Sequence, residues 1–265
     1  MTNVYTDLLL SDGAIDLWML DDASGTNAAN IGPSAHVMTY SGTYNQNAPG
    51  VLPSYLSTRF SSGYVVSSVD VLSGASAFSF SVLLRVQFLA DCYAVAYDSG
   101  GNSNTESWYL FTYVSTVSTS GGIFQSAGVV NDTSGLPNLG NSWHQCVLTW
   151  DGTNLRNYLD GNFTGIVGSS AWFKPGALRL SIGGDSFRAA ASSSRFQGFM
   201  SAAALFTAAL TPAQIAAQFE ALSSIAITPV GQPATSGQLL AVQNQLELQQ
   251  AQLDLIYAAV HKVYV

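Results

Sequence analysis

The chain has 265 residues, 48% of them hydrophobic and only 9% charged, with a formal net charge of −8. Eight basic residues scattered through an acidic chain form no patch, which argues against a nucleic-acid partner. No apolar run approaches the roughly 20 residues of a membrane span, and solubility falls to Ser, Thr, Asn, Gln and Gly rather than to ions.

The opening stretch MTNVYTDLLLSDG has no basic segment and an apolar run too short for an export signal, so synthesis and assembly in a cytoplasm are expected. From there to residue 206, short alternating segments are separated by Gly, Ser, Asn and Asp clusters. The pattern predicts strands at 15–19, 36–40, 58–60, 64–67, 78–88, 93–97, 107–114, 122–127, 143–150, 155–159, 163–167, 178–182 and 195–206. So many short strands without intervening helices predict an all-β fold, a sandwich of two antiparallel sheets. Cys92 and Cys146 sit in strand-like segments and are read as two buried thiols, with a disulfide as the alternative.

The stretch NSWHQCVLTWDGTNLRNYLDGN, residues 141–162, shows the logic most clearly. Alternation puts Trp143, Gln145, Val147 and Thr149 on one face and His144, Cys146, Leu148 and Trp150 on the other. Asp151-Gly152 and Asp160-Gly161 then close tight turns, because Asp and Gly tolerate positive φ. These aspartates are therefore turn formers rather than acids or bases, and His144 is a sheet residue rather than a metal ligand.

A helix over 211–222 follows. Thr211, Pro212 and Gln214 give an N-cap, a first-turn proline and a capping box, and Ile215, Phe219 and Leu222 share one face. Pro229, Pro233 and Gly237 mark 225–237 as a linker after a domain over 1–224. The remaining segment, 238–265, is predicted as a coiled-coil helix. Leu239, Leu246, Leu253 and Val260 recur at one heptad position, and Val242, Gln249, Ile256 and Val263 at the other. Leu at a with β-branched residues at d favours more than two strands, so a homo-oligomer, a trimer, is expected.

Four blocks resemble the laminin G-like, concanavalin A-like lectin/glucanase jelly rolls found in bacteriophage and bacterial surface proteins. They are YTDLLLSDGAIDLWMLDDASGT, FSFSVLLRV, WHQCVLTWDGTNLRNYLDG, and LRLSIGGD continuing through RFQGFMSAAALFTAALTPAQIAAQF. The resemblance covers about residues 5–222 and implies a jelly roll capped by the helix at 211–222. The resemblance implies an Asp before a Ser-Gly turn near Asn30-Ile31-Gly32 and often an acid where Ser201 stands, and this chain departs from it at both places. Because several relatives use calcium, Asp21, Asp22, Asp98, Asp132 and Asp185 are the candidate Ca2+ ligands the resemblance suggests, in predicted loop ends without the dense spacing of a dedicated site.

Catalysis finds no residues to carry it. The three glutamates, Glu106, Glu220 and Glu247, are not paired with another acid along a strand, as a glucanase requires. No nucleophile elbow or phosphate loop is present, and His36, His144 and His261 lack a ligand spacing. Exposed aromatics beside amides would suit a sugar, and Trp172 with Phe173, or Trp108 with Tyr109, are the candidate platforms. The expectation is a non-enzymatic virion surface protein, a head-decoration or tail-associated fibre that docks on capsid or tail protein through its C-terminal helix. A soluble carbohydrate-binding lectin is the alternative, and a glucanase the remote one.

Overall fold

Alternating side chains pair off across the chain into two sheets. The computed structural model describes residues 4–51, 55–87, 92–99, 106–113, 118–126, 129–133, 139, 141–168, 178–186 and 195–226. In chain order the elements are α1 (Val4–Ser11), β1 (Ala14–Trp18), β2 (Asn27–Ala28), β3 (Met38–Ser41), β4 (Tyr44–Pro49), β5 (Leu56–Phe60), β6 (Tyr64–Ser67), β7 (Phe78–Val86), β8 (Cys92–Asp98), β9 (Glu106–Tyr113), β10 (Ser118–Ser126), β11 (Val129–Thr133), β12 (His144–Trp150), β13 (Asn154–Leu159), β14 (Asn162–Gly168), β15 (Arg179–Ile182), β16 (Gly198–Phe206) and α2 (Pro212–Ala226). One sheet runs β14-β13-β12-β7-β16-β5-β4 with β1 on β16, and the other runs β11-β10-β9-β8-β15-β6-β3-β2. The chain divides into two units, 1–225 and 226–265, and the sandwich belongs to the first.

The inner faces meet in one apolar core. Trp108 on β9 stacks on Phe78 of the facing sheet, with ring centroids 4.8 Å apart, and on Tyr97 beside it, at 5.6 Å. Phe80 and Trp150 complete the aromatic cluster. Cys92 and Cys146 are buried in the same core and are not joined in a disulfide.

A second apolar layer covers half of the first sheet's outer face. Tyr5 and Leu9 of α1 and Ile215 and Leu222 of α2 pack there against Leu83, Val147, Tyr158 and Phe206. Tyr5 is sealed in beside Ser81 and Gln145, and burial pushes its hydroxyl up to about 12. The cap of α2 forms as the sequence predicts: the Gln214 side chain accepts from the Thr211 N–H at 2.9 Å, and Thr211 Oγ1 accepts from the Gln214 N–H at 3.3 Å. Asp12 accepts from Gln214 and Gln218, tying the turn after α1 to α2.

Four elements depart from the expected pattern, the two-residue β2 among them. Residues 4–11 form a helix, held by the packing of Tyr5 and Leu9. β4 and β11 are strands whose Asn- and Asp-containing sequences hide their alternation. The turn aspartates behave as read. Asp151 accepts from the N–H groups of Thr153 and Asn154 and pairs with Arg156; burial opposes its ionisation, but these donors outweigh it and hold the carboxyl down at about 2.

Asp160 does more than turn the chain. Its Oδ1 accepts from the Gln145 N–H at 2.9 Å, and its Oδ2 lies 2.7 Å from His144 Nδ1. The other ring nitrogen, Nε2, lies 2.7 Å from the Leu139 carbonyl oxygen. Two acceptors face one imidazole, and only the doubly protonated ring donates to both. The bond to Asp160 accordingly raises the His144 pKa against the opposing effect of burial. Gly161, at φ +76°, leaves room for Phe219 and Ala216 of α2 against this turn.

Two outcomes follow from this packing. Because the folded His144 pKa is raised, the clamp's contribution is fully present below the unfolded value of about 6.5 and disappears as pH rises through the folded value. Urea denaturation of His144→Gln should therefore show a deficit of roughly 1 kcal/mol in mild acid that narrows toward alkaline pH. Trp108→Ala should lower unfolding free energy by about 3–5 kcal/mol, the cost of emptying a core aromatic site, in the same measurement.

Candidate functional site

The residues singled out from sequence scatter. Trp108 is fully buried in the core and presents no face to a ligand, which corrects its reading as a sugar platform. Tyr109 is 8% exposed and packs edge-on against Tyr93, at 5.4 Å, on the outer face of the second sheet. Two large aromatics at a strand start look alike in sequence whether they face solvent or core. Trp172 and Phe173 lie outside the described residues, as do the heptad positions Leu239, Val242, Leu246, Gln249, Leu253, Ile256, Val260 and Val263.

The candidate calcium acids do not assemble. Asp22 spends both oxygens on the protein, accepting from the Ala29 N–H at 2.9 Å and from the Tyr40 hydroxyl at 2.8 Å. Its neighbour Asp21 is exposed, and partial burial followed by the Asp22 charge raises its pKa. Asp98 and Asp185 are buried in the other sheet, at the end of β8 and just after β15, and Asp132 lies on β11. Among the described residues no three His, Cys, Asp or Glu side chains come together. This donor set does not fit a calcium ion.

Asn30 and Ser201 each sit in a hydrogen-bonded setting that an acid would not fill. Asn30 donates to Asp16 Oδ1 at 2.5 Å and to the His36 carbonyl at 3.1 Å, while its own oxygen accepts from the Leu17 and Gly32 N–H groups. A carboxylate there could not donate and would face the buried Asp16 charge. Asp16 is further bonded by Ser34 and by His36 Nδ1 at 2.9 Å. Ser201 Oγ lies 3.2 Å from the carbonyl oxygens of Met19 and Leu56, a setting that an acid would oppose.

A different surface carries spare recognition groups. Strand register aligns Asn45 on β4, Arg59 on β5, Phe199 on β16 and Arg85 on β7 in one row across the first sheet. Trp143, immediately before β12, extends the row, since His144 pairs with Leu84. Phe80, Val82, Leu84 and Val86 point into the core, so Arg85 and its row point outward, beyond the area the helices cover. The Arg85 guanidinium sits 4.4 Å from the centre of the Phe199 ring, and Trp143 flanks Phe199 at 6.4 Å. Arg59 Nε donates to Gln87 Oε1 at 2.8 Å, which fixes that side chain from its middle. Arg59, Arg85, Gln87 and Trp143 are all half-buried, and Asn45 is exposed.

The chemistry of this row suits recognition. Aromatic rings offer flat apolar faces, guanidinium groups offer forked donors, and the Gln87 and Asn45 amides offer both donors and acceptors. The partly exposed Tyr44 is engaged within the protein: it stacks on Tyr40 at 4.7 Å, and Gln46 and Asn47 beside it bond the carbonyls of Gly25 and Ala23. Sequence reasoning missed the row because its members come from five distant segments. The one local signal was parity, which places Arg85 on the face of β7 opposite Phe78 and Phe80.

Known proteins share this architecture. Solved structures of similar fold include the binding domain of botulinum neurotoxin DC in complex with rat synaptotagmin II, at TM-score 0.60 and 12% identity, covering 78% of this chain and 52% of that one. Another is botulinum neurotoxin type C, whose cell entry depends on interaction with two ganglioside molecules, at TM-score 0.62 and 12% identity, covering 80% and 52%. A third is Trypanosoma rangeli sialidase in complex with 2,3-difluorosialic acid, at TM-score 0.60 and 14% identity, covering 80% and 34%. The chain thus spans about half of the toxin domains and a third of the sialidase, and at these identities the likeness is one of fold. No curated protein matches the sequence. No described helix is long and apolar enough to cross a membrane. The family model of the concanavalin A-like lectin/glucanases superfamily, Laminin_G_3, matches residues 59–216, more than half of the chain, and the chain belongs to that superfamily.

Proposed function

We propose that the sandwich is a carbohydrate-binding module with no catalytic role of its own, and that it binds glycan on the outer row of the first sheet. The observation that carries the reading is the series Trp143, Arg85 and Arg59, half-buried around the buried Phe199 ring. It joins aromatic faces to forked donors on a rigid β scaffold. The family membership agrees with it, and so do structural neighbours that include a ganglioside-dependent toxin and a sialidase. Asp151, Asp160, Asp16 and Asp22 are engaged as turn formers and hydrogen-bond acceptors. None of these four stands free to protonate or attack a sugar.

The finer form of this proposal is an oligomeric adhesive protein on a virion surface, made in the host cytoplasm. There the C-terminal segment would join copies and dock on capsid or tail protein, leaving the sandwich to face outward. Its support is the heptad series from Leu239 to Val263, together with the division of the chain at Ile225 and Ala226.

Two measurements test these readings. On a glycan array followed by calorimetry, Trp143→Ala should weaken the best ligand by about tenfold or more with the fold intact by circular dichroism. Undiminished affinity would remove the row from the proposal. In light scattering the full chain should give a trimer mass, and a chain ending at Ser224 a monomer mass. A monomeric full chain, unchanged by Leu246→Asp, would end the virion-fibre form.

A further inference from the structure

We propose that the outer row selects glycans bearing carboxylate groups, such as uronates or sialic acids; this rests on the glycan reading above and names its ligand class. The argument starts from the charges. The chain carries 16 acidic and 8 basic residues, so a carboxylate for every arginine is in good supply. Arg156 has one, in Asp151. Arg59 and Arg85 do not: their contacts are the Gln87 amide and the Phe199 ring, and among the described residues neither forms an ion pair. Arg85 Nε is buried and has no hydrogen-bond partner.

Among the described residues, then, two like charges share one row without a counter-ion. Arg59 and Arg85 sit on β5 and β7, on either side of Phe199 on β16, so their backbones are roughly 10 Å apart, two strand spacings. Stacking on Phe199 leaves the edge of the Arg85 guanidinium for hydrogen bonds, and the bond from Arg59 Nε to Gln87 leaves its terminal amino groups. A half-buried guanidinium without a carboxylate is costly in the free protein, and an arriving carboxylate relieves that cost through paired, charge-assisted bonds. The pyranose ring beside that carboxylate meets the half-buried Trp143, while the buried Phe199 holds Arg85 in place, and the sugar hydroxyls meet Gln87 and Asn45. A simple anion would use the arginines alone, and a neutral sugar would use the aromatics and amides alone. A carboxylated sugar uses both.

The test compares one skeleton with and without charge. Titrate the full chain with tetragalacturonate and with its fully methyl-esterified, uncharged form, by calorimetry at low and moderate salt. The acid form should bind at least about tenfold tighter, with the preference shrinking as salt rises. Arg59→Gln with Arg85→Gln should erase the preference while methyl-ester binding persists, and Arg59→Lys should retain part of it. Thermal melts and methyl-ester binding show whether each variant is folded. Equal affinity for both forms in the native protein, or a preference untouched by the double variant, overturns the inference and leaves the glycan reading standing. Binding of neither form overturns both.

Discussion

The stack of Trp108 on Phe78 and Tyr97 fixes the sandwich, because it is where one sheet's rings lie flat against the other's. A buried Trp contributes several kcal/mol through area and contact, and its position sets the spacing and register of the facing strands. Phe80 and Trp150 close around it, so a shift of β7 by one residue would turn the aromatic face of that strand outward. Everything on the outer surfaces inherits its alignment from this contact. Arg85 stands outside because Leu84 and Val86 stand inside.

The first sheet divides its outer face between two tasks. One half is apolar and is covered by α1 and α2, with Tyr5, Leu9, Ile215 and Leu222 filling the layer. Another part carries the row from Trp143 to Asn45, which neither α1 nor α2 covers. Trp143 belongs to both, packing at the margin of the helix-covered layer while flanking Phe199. The scaffold beneath is a continuous ladder from β12 through β7 and β16 to β5 and β4, so the recognition groups are held by backbone hydrogen bonds rather than by loops. The His144 and Asp160 clamp sits one residue from Trp143 and steadies the end of that ladder.

Much of this was legible because local chemistry decided it. Asp151 and Asp160 form turns for the reason their sequence suggests, and Thr211 caps α2 through Gln214 as the spacing implies. The two faces of residues 143–150 also separate correctly. Which face meets the core was not legible, because both carry large apolar groups: Trp150 fills the sandwich and Trp143 the outer margin. The α1 helix is held by Tyr5 and Leu9, and β4 is placed by its pairing with β5, both tertiary effects that no short window contains. The row is the extreme case. Residues 45, 59, 85, 143 and 199 become neighbours only through the register of five strands.

The scarcity of charge is what gives that row its meaning. In a chain with 9% charged residues, an arginine is a deliberate expense, and most positions that need only bulk are filled with Leu, Val or Phe. Arg195 shows the structural use of guanidinium here: it lies 4.3 Å over the Tyr64 ring, bonds the Ser62 carbonyl and is 6% exposed. Arg59 and Arg85 share the stem-fixing contacts but not the closure, since both stay half-exposed. An amide or an aliphatic side chain would satisfy Gln87 or cover Phe199 without the repulsion between two cations. Retaining both charges on one rigid row is explained by a ligand that brings the missing negative charge with it.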